Sequence, residues 1–303
     1  MADDIPFERS FDAPAGDLQD ISPLVRRMVA GNAGPFTFTG TCTYVVGRGE
    51  VAVIDPGPDE PAHVAALLRA LEGERVKQIV ITHTHRDHSP AARAVQEATG
   101  APVVGCAPHR ASRPLAAGEA KRLDASADRD YEPDRILGEG DRVEGDGWTL
   151  AALETPGHTA NHLAFALEEE RALFSGDHVM AWSTTIVAPP DGSMGDYMAS
   201  LAKLQGRDDR VYWPGHGGPV TNPARFVRAL IHHRRQREAS ILDRVAAGDG
   251  LISAIVPKLY EGLQPALHGA AALSVFAHLE DLVRRGAVAT EGAPSLAGRY
   301  WLP

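Results

Sequence analysis

Apolar residues in this chain fall in short blocks, and each block ends at Gly, Pro or a polar cluster. Thr41 to Val46 and Val51 to Asp55 flank Gly47-Arg-Gly-Glu50, which predicts a β-hairpin. Asp59-Glu-Pro61 opens a helix to about Leu71, with Pro in the first turn, where its missing N–H is no loss. Gln78 to Thr82 is a compact strand. Ser89 and Pro90 start a helix that ends at Gly100, and Ala101 to Gly105 is the next strand. Trp148 to Thr155, His162 to Leu167 and Arg171 to Phe174 form a run of strands in an antiparallel style. Asp196 to Gln205 is a helix, and Arg210 to Trp213 is a last strand. The first 35 residues show little periodicity and are expected to form an arm. Residues 110–135, rich in Ala, Arg and Asp, are expected to be a loop or small helical insertion.

The pattern changes after Asn222-Pro223, which cap a long helix through Ala247. Leu251 to Tyr260 and Pro265 to Arg285 give further helices. Gly286 to Glu291 and Gly298 to Leu302 can pair as a terminal hairpin. Helix, helix, helix, hairpin is the order of a winged-helix unit; a helical cap over an apolar edge of the main domain is the competing reading. The whole predicts an α+β chain of sheets covered by helices, with a main domain at 1–224 and a C-terminal unit at 225–303.

Composition narrows the classes. Of 303 residues, 44% are hydrophobic and 23% charged, the balance of a globular protein with a full core. The formal net charge of −10 argues against loose, non-specific nucleic-acid binding but leaves room for a local basic groove. The charge is uneven, however. From Arg225 onward ten Lys or Arg face seven Asp or Glu, while the rest holds twenty against thirty-three. Arg234, Arg235 and Arg237 form a basic stretch that could guide RNA, or simply a solvated helix face. Thirteen His against two Cys exclude a disulfide scaffold and make imidazole the expected metal ligand. Cys42 and Cys106 are expected as buried thiols. The acidic start, Met-Ala-Asp-Asp, lacks a basic leader, and no run approaches 18 apolar residues. Cytoplasmic location and no membrane partner are therefore expected. The sequence sets no oligomeric state.

The chemistry is concentrated in Thr82-His83-Thr-His85-Arg-Asp87-His88-Ser89, directly after a hydrophobic strand. In an extended segment His83 and His85 project to the same side. Asp87 and His88 follow a turn and can face a second position. Four imidazole and carboxylate ligands this close suggest two metals rather than one. Three more strand ends carry Gly next to a candidate ligand: Pro156-Gly-His158, Ser175-Gly-Asp177 and Pro214-Gly-His216. Singly each is an ordinary turn; four such clusters in one domain make a set. His162 either hydrogen-bonds behind the metal site or faces solvent, and His178 is expected to pack away from it. Met180, Trp182 and Tyr197 read either as ordinary core or as an apolar wall for an acyl group or a stacked base.

His83-x-His85-x-Asp87-His88, then His158, Asp177 and His216 in that order, resemble the metallo-β-lactamase superfamily over residues 36–220. The resemblance implies an αββα sandwich with metals at one edge of the paired sheets. It implies that His83, His85 and His158 hold one metal, that Asp87, His88 and His216 hold another, and that Asp177 bridges them. Two Zn2+ are expected, with Fe or Mn as alternatives for the same donors. A hydroxide between two zinc ions is a nucleophile near neutral pH, able to attack a carbonyl or phosphorus centre. Asp87 is expected to orient it or relay its proton as well as bind metal. The resemblance also implies that an Asp at 177 marks thioesterases, glyoxalase II enzymes and nucleases rather than true β-lactamases.

His85-Arg-Asp-His-Ser89, Gly157-His-Thr-Ala-Asn-His162, Asp196-Tyr-Met-Ala-Ser-Leu201 and Pro214-Gly-His-Gly217, with the helical tail, resemble the beta-lactamase-like protein 2 family. That family pairs the hydrolase domain with a C-terminal winged-helix-like domain, and includes a single-stranded RNA endoribonuclease and fungal acyl-carrier thioesterases. Asp177 to Trp182 and on to Pro189-Pro190 departs in detail from the animal members and is placed along the pocket. The resulting expectation is a binuclear zinc hydrolase of a thioester, ester or phosphodiester, with a small-molecule or acyl-thioester substrate and RNA as a possible partner. An endoribonuclease, a weak or promiscuous β-lactamase and a non-catalytic ligand-binding regulator stand as alternatives.

Overall fold

The structure is a computed structural model and describes residues 5–116, 119, 126–264 and 267–303. Part of the expected 110–135 insertion and the Pro265 start of the last helix lie outside the described residues.

Two sheets face each other. The first has seven strands in spatial order: β1 (Gln19–Asp20), β2 (Val25–Val29), β3 (Cys42–Arg48), β4 (Glu50–Ile54), β5 (Arg75–Ile81), β6 (Val103–Gly105) and β7 (Arg135–Ile136). Its first four strands are antiparallel, and β4 to β7 run parallel. The second sheet holds β8 (Arg142–Gly145), β9 (Trp148–Glu154), β10 (Leu163–Leu167), β11 (Ala172–Gly176) and β12 (Val211–Pro214), in the order β12-β11-β10-β9-β8. Only β11 and β12 pair in parallel here, so β9, β11 and β12 all point the same way.

Period-two alternation sorts side chains between two cores. On β10, Leu163, Phe165 and Leu167 enter the core between the sheets, where they join Val45, Val53 and Ile79. Ala164 and Ala166 of the same strand face the other way, against helices. Helices α1 (Pro61–Ala70) and α2 (Ala91–Thr99) cover the first sheet. The outer face of the second is covered by α3 (Met194–Gln205) and the first half of α4 (Pro223–Ala246). This is the predicted layering of helix, sheet, sheet, helix.

The remainder of α4 enters a third core with α5 (Ile252–Leu259), α6 (His268–Arg284) and the hairpin β13 (Ala289–Thr290) and β14 (Tyr300–Trp301). The order matches the predicted winged-helix order. The Asn222 side chain caps α4 by accepting from the Arg225 N–H.

Strands β1, β2, β7 and β8 differ from expectation. The N-terminal arm contains β2, which pairs with β3 and is buried at all five positions. Its two central arginines hide the strand pattern; Arg26 is neutralised by Glu74. The short β8 pairs with β9, although Arg142-Val-Glu-Gly145 carries a single apolar side chain.

Candidate metal centre

Strand ends build the site. β4, β5, β9, β11 and β12 all finish at one edge of the sandwich, and each hands on within two residues to a polar one: Asp55, the Thr82–His88 run, Thr155 to His158, Asp177 and His216. Residues up to 161 positions apart in the chain, Asp55 and His216, therefore share one cluster.

All seven residues expected from the sequence come together. His83, His85 and His158 form one group, and Asp87, His88 and His216 another; within each, the donor atoms lie within 4.8 Å of one another. Asp177 sits between them, with its carboxylate oxygens 3.5 Å from His88 Nε2, 3.5 Å from His158 Nε2 and 3.4 Å from His216 Nε2. Asp87 Oδ2 lies 3.2 Å from His216 Nε2 and 3.4 Å from His88 Nε2, and it accepts from the Thr41 hydroxyl at 3.4 Å. A third group, Asp55 with His83 and His88, shares two of these imidazoles.

The outward-facing hydrogen bonds of the five imidazoles decide what the inward-facing nitrogens can do. Carbonyls and carboxylates only accept, so they fix the N–H on the ring nitrogen beside them. His158 Nδ1 donates to the Ile186 carbonyl at 2.7 Å, and His216 Nδ1 to the Gly40 carbonyl at 3.3 Å. His85 Nε2 donates to Asp191 at 2.8 Å, and His88 Nδ1 to Asp55 at 3.0 Å. The Thr82 hydroxyl donates to Asp55 at 2.6 Å and so accepts from His83 Nδ1 at 3.0 Å. In the neutral rings, every inward nitrogen is then a lone pair. Two such pairs face each other closely: His158 Nε2 and His85 Nδ1 at 3.0 Å, and His88 Nε2 and His216 Nε2 at 3.3 Å. His83 Nε2 and Asp177 Oδ1 are buried with no hydrogen-bond partner. Converging lone pairs and carboxylates repel one another unless a cation lies among them, so the donor set fits bound metal.

Protons compete with metal for these lone pairs. Burial, and then His88 and His85, push His83 well below the usual imidazole range; burial and His85 lower His158. Burial also opposes charge on His85, His88 and His216, but nearby carboxylates outweigh it and all three are raised, His216 to about 9. Burial works against ionised Asp87 and Asp177 too, yet His88 and His216 hold both carboxyls well below their usual range. The protons held on the imidazoles must leave before a metal enters, so metal uptake releases protons.

Glycine is required at two of the strand ends. A Cβ on Gly215 would lie 2.5 Å from Asp177 Oδ1 and 2.6 Å from His88 Cε1, inside the cluster. Gly157 has φ +143°, and its Cβ would meet the Tyr197 backbone at 2.4 Å.

Other expectations resolve as follows. His162 lies behind the site rather than in solvent: its Nε2 accepts from the Asp177 N–H at 3.2 Å, and its Nδ1 meets the Thr155 hydroxyl at 2.9 Å. His178 packs away, fully buried. Tyr197 is in the core and Trp182 stacks on Phe38 with ring centroids 4.9 Å apart; of the three expected wall residues, only Met180 lines the cavity. Cys42 and Cys106 are free and buried, and burial pushes the Cys42 thiol up to about 11. The basic stretch on α4 is divided, with Arg235 exposed and its two neighbours packed inward. Arg234 is buried, and Arg237 donates to the Leu259 carbonyl and lies over the Tyr260 ring.

Sequence reasoning passed over Asp55 and Asp191, the carboxylates behind His88 and His85. Asp55 carried a signal, since it ends an apolar strand just as the candidate ligands do. Asp191 lies in the loop after β11, with no periodic or strand-end mark.

Above the cluster is a cavity of about 610 Å³. Asp87, Asp177, His85, His158 and His216 lie on its floor, and Phe36, Met180, Ile186, Pro189, Pro190 and Leu273 wall it.

The metallo-beta-lactamase superfamily model matches residues 36–216. The chain belongs to the metallo-β-lactamase superfamily. The beta-lactamase associated winged helix domain matches residues 252–301, which is the unit formed by α5, α6 and the hairpin. The Beta-lactamase-like protein 2 homolog of Caenorhabditis elegans is 33% identical over 74% of this chain and 72% of that protein. An atrochrysone carboxyl ACP thioesterase of Paecilomyces divaricatus is 33% identical over 80% of this chain and 72% of its own length. Among solved structures, a metallo-beta-lactamase family protein of Thermus thermophilus superposes with a TM-score of 0.73, at 25% identity, covering 94% of this chain and all of that one. A beta-lactamase domain protein of Burkholderia ambifaria gives a TM-score of 0.79 at 22% identity, over 98% and 97% of the two chains, which shows the shared fold. With this membership the chain is a metal-dependent hydrolase of the superfamily. No described helix is long and apolar enough to cross a membrane.

Proposed function

We propose that the protein is a binuclear zinc hydrolase that cleaves the thioester of an apolar acyl group. In this reading His83, His85 and His158 hold one Zn2+, Asp87, His88 and His216 hold the second, and Asp177 lies between them. Zinc supplies water of lowered pKa and polarisation of the attacked carbonyl. The residues of the chain do the rest. The Asp87 side chain is 26% exposed at the cavity floor, against 9% or less for Asp177, His88 and His216. It is a carboxylate at neutral pH, so it accepts a hydrogen bond from an attacking water and orients it. The apolar walls exclude other water and seat the acyl chain.

The observation that carries the choice of substrate is the character of the cavity. Its walls are apolar, and among the described residues the charged side chains along it are four carboxylates, Glu60, Asp87, Asp177 and Asp191, against one arginine, Arg86. The apolar walls suit an uncharged acyl thioester, and beside the proposed metal ligands the described lining offers a polyanion such as RNA a single arginine, Arg86. The relatives named as ACP thioesterases support the same reading. We also propose the division at 1–224 and 225–303 as units of descent, although α4 packs in both cores.

The test is a parallel assay of acyl thioesters, labelled single-stranded RNA and a chromogenic lactam. It compares zinc-loaded, chelator-stripped and Asp87→Asn protein. Thioester turnover that needs metal and falls by about 100-fold or more in Asp87→Asn is expected. Metal-dependent cleavage of RNA with no thioester turnover would overturn the substrate.

A further inference from the structure

Helix α4 does more than connect two cores. Arg234, near its middle, is 4% exposed. Its Nη2 donates to the Thr185 carbonyl, and its guanidinium lies over the Tyr197 ring, with Cζ 5.2 Å from the centroid. Its Nε has no hydrogen-bond partner, and among the described residues no carboxylate pairs with it. A buried guanidinium held by one carbonyl and one ring is costly, and an apolar side chain of similar length fills such a space more favourably.

The segment it grips leads directly to the metal centre. The buried Thr185 donates its hydroxyl to the carbonyls of Asp177 and His178, each at 2.8 Å. The next carbonyl, that of Ile186, accepts the His158 Nδ1 proton at 2.7 Å and so turns Nε2 inward. Tyr197, under the guanidinium, donates its hydroxyl to the His178 carbonyl at 3.2 Å. Residues 185 and 186 thus lie between Arg234 and two of the seven proposed ligands. Beside them, Leu273 of α6 reaches the cavity wall.

We propose that Arg234 is a positioning residue: it clamps the 185–186 segment so that the Asp177 backbone and the His158 ring are set for metal, which makes the C-terminal domain part of the centre. This rests on the metal reading above. Arg234 touches neither substrate nor metal and acts through Thr185.

The experiment compares the full chain with Arg234→Met, Arg234→Lys and Thr185→Val. Zinc stoichiometry and the zinc dissociation constant are measured by chelator competition, and thermal unfolding is measured on metal-stripped protein. Arg234→Met is expected to raise the zinc dissociation constant about tenfold or more while the metal-free protein unfolds at the same or a higher temperature. Arg234→Lys restores most of the affinity, because an ammonium still donates to the Thr185 carbonyl. Thr185→Val shifts affinity in the same direction as Arg234→Met. Zinc affinity within about twofold of wild type in folded Arg234→Met overturns the proposal and leaves the metal reading standing. A wild type that retains no metal overturns both. Should Arg234→Met fail to fold, unchanged zinc affinity in Thr185→Val overturns the clamp.

Discussion

Asp191 shows how a residue can matter without resembling a ligand. Its Oδ2 takes the proton of His85 Nε2 at 2.8 Å, which leaves Nδ1 facing inward towards His158. A carboxylate behind a ligating imidazole fixes its tautomer and raises its basicity, and removing such a partner weakens metal binding by about 10–100-fold. Asp191→Ala is therefore expected to lower zinc affinity by that factor, read by chelator competition, with unfolding of the metal-free protein little changed. Unchanged affinity would show that His85 is oriented by packing alone. Asp55 serves His88 in the same manner and also takes the Thr82 N–H and hydroxyl, so it ties two strand ends together. The candidate ligands were legible in the chain because imidazole and carboxylate next to Gly at strand ends are rare combinations. Asp191 was not, because its role comes from a loop that returns to His85 across 106 positions.

Among the secondary elements, the site depends on how strands stop. Parallel β4 and β5 in one sheet, and β9, β11 and β12 in the other, deliver their last residues to one edge. The strand after which His158 follows stops against α3. Gly157 there has φ +143°, and its hydrogen lies where a Cβ would fall 2.4 to 2.6 Å from the Tyr197 backbone and Cβ. Gly157→Ala must both strain its own backbone and push α3 away, and a loss of about 2 kcal/mol or more in denaturant unfolding is expected, together with weakened metal retention. An alanine variant as stable as wild type would mean that α3 yields freely. Most strands and helices were readable from periodicity and caps. β2 and β8 were missed, because arginine and glutamate at central positions break the alternation while the backbone still pairs.

At the scale of the whole molecule, the domains are joined by a buried and partly unpaired polar seam. His278 of α6 is buried with no hydrogen-bond partner for either ring nitrogen among the described residues, and burial first, then Arg234, lowers it to about 3. Arg237 and His233 of α4 and Arg285 at the end of α6 also oppose its charge. The folded chain therefore binds fewer protons here than the unfolded chain between pH 6.5 and about 3. This contribution to stability is fully present above pH 6.5 and is lost as pH falls towards 3. His278→Leu is expected to flatten the acid limb of the stability curve across that range, measured by denaturant unfolding at fixed pH. An unaltered slope would place the proton elsewhere. The sequence by itself determined the family, the layered fold and the seven candidate ligands, because local spacing and strand-end chemistry are written in neighbouring residues. Only the tertiary structure decided that Arg234 is buried rather than a surface cation. It also supplied the carboxylates behind the imidazoles and made the cavity apolar over an acidic floor. Those depend on residues far apart in the chain meeting at one place, and contact across such distances leaves no mark in local pattern.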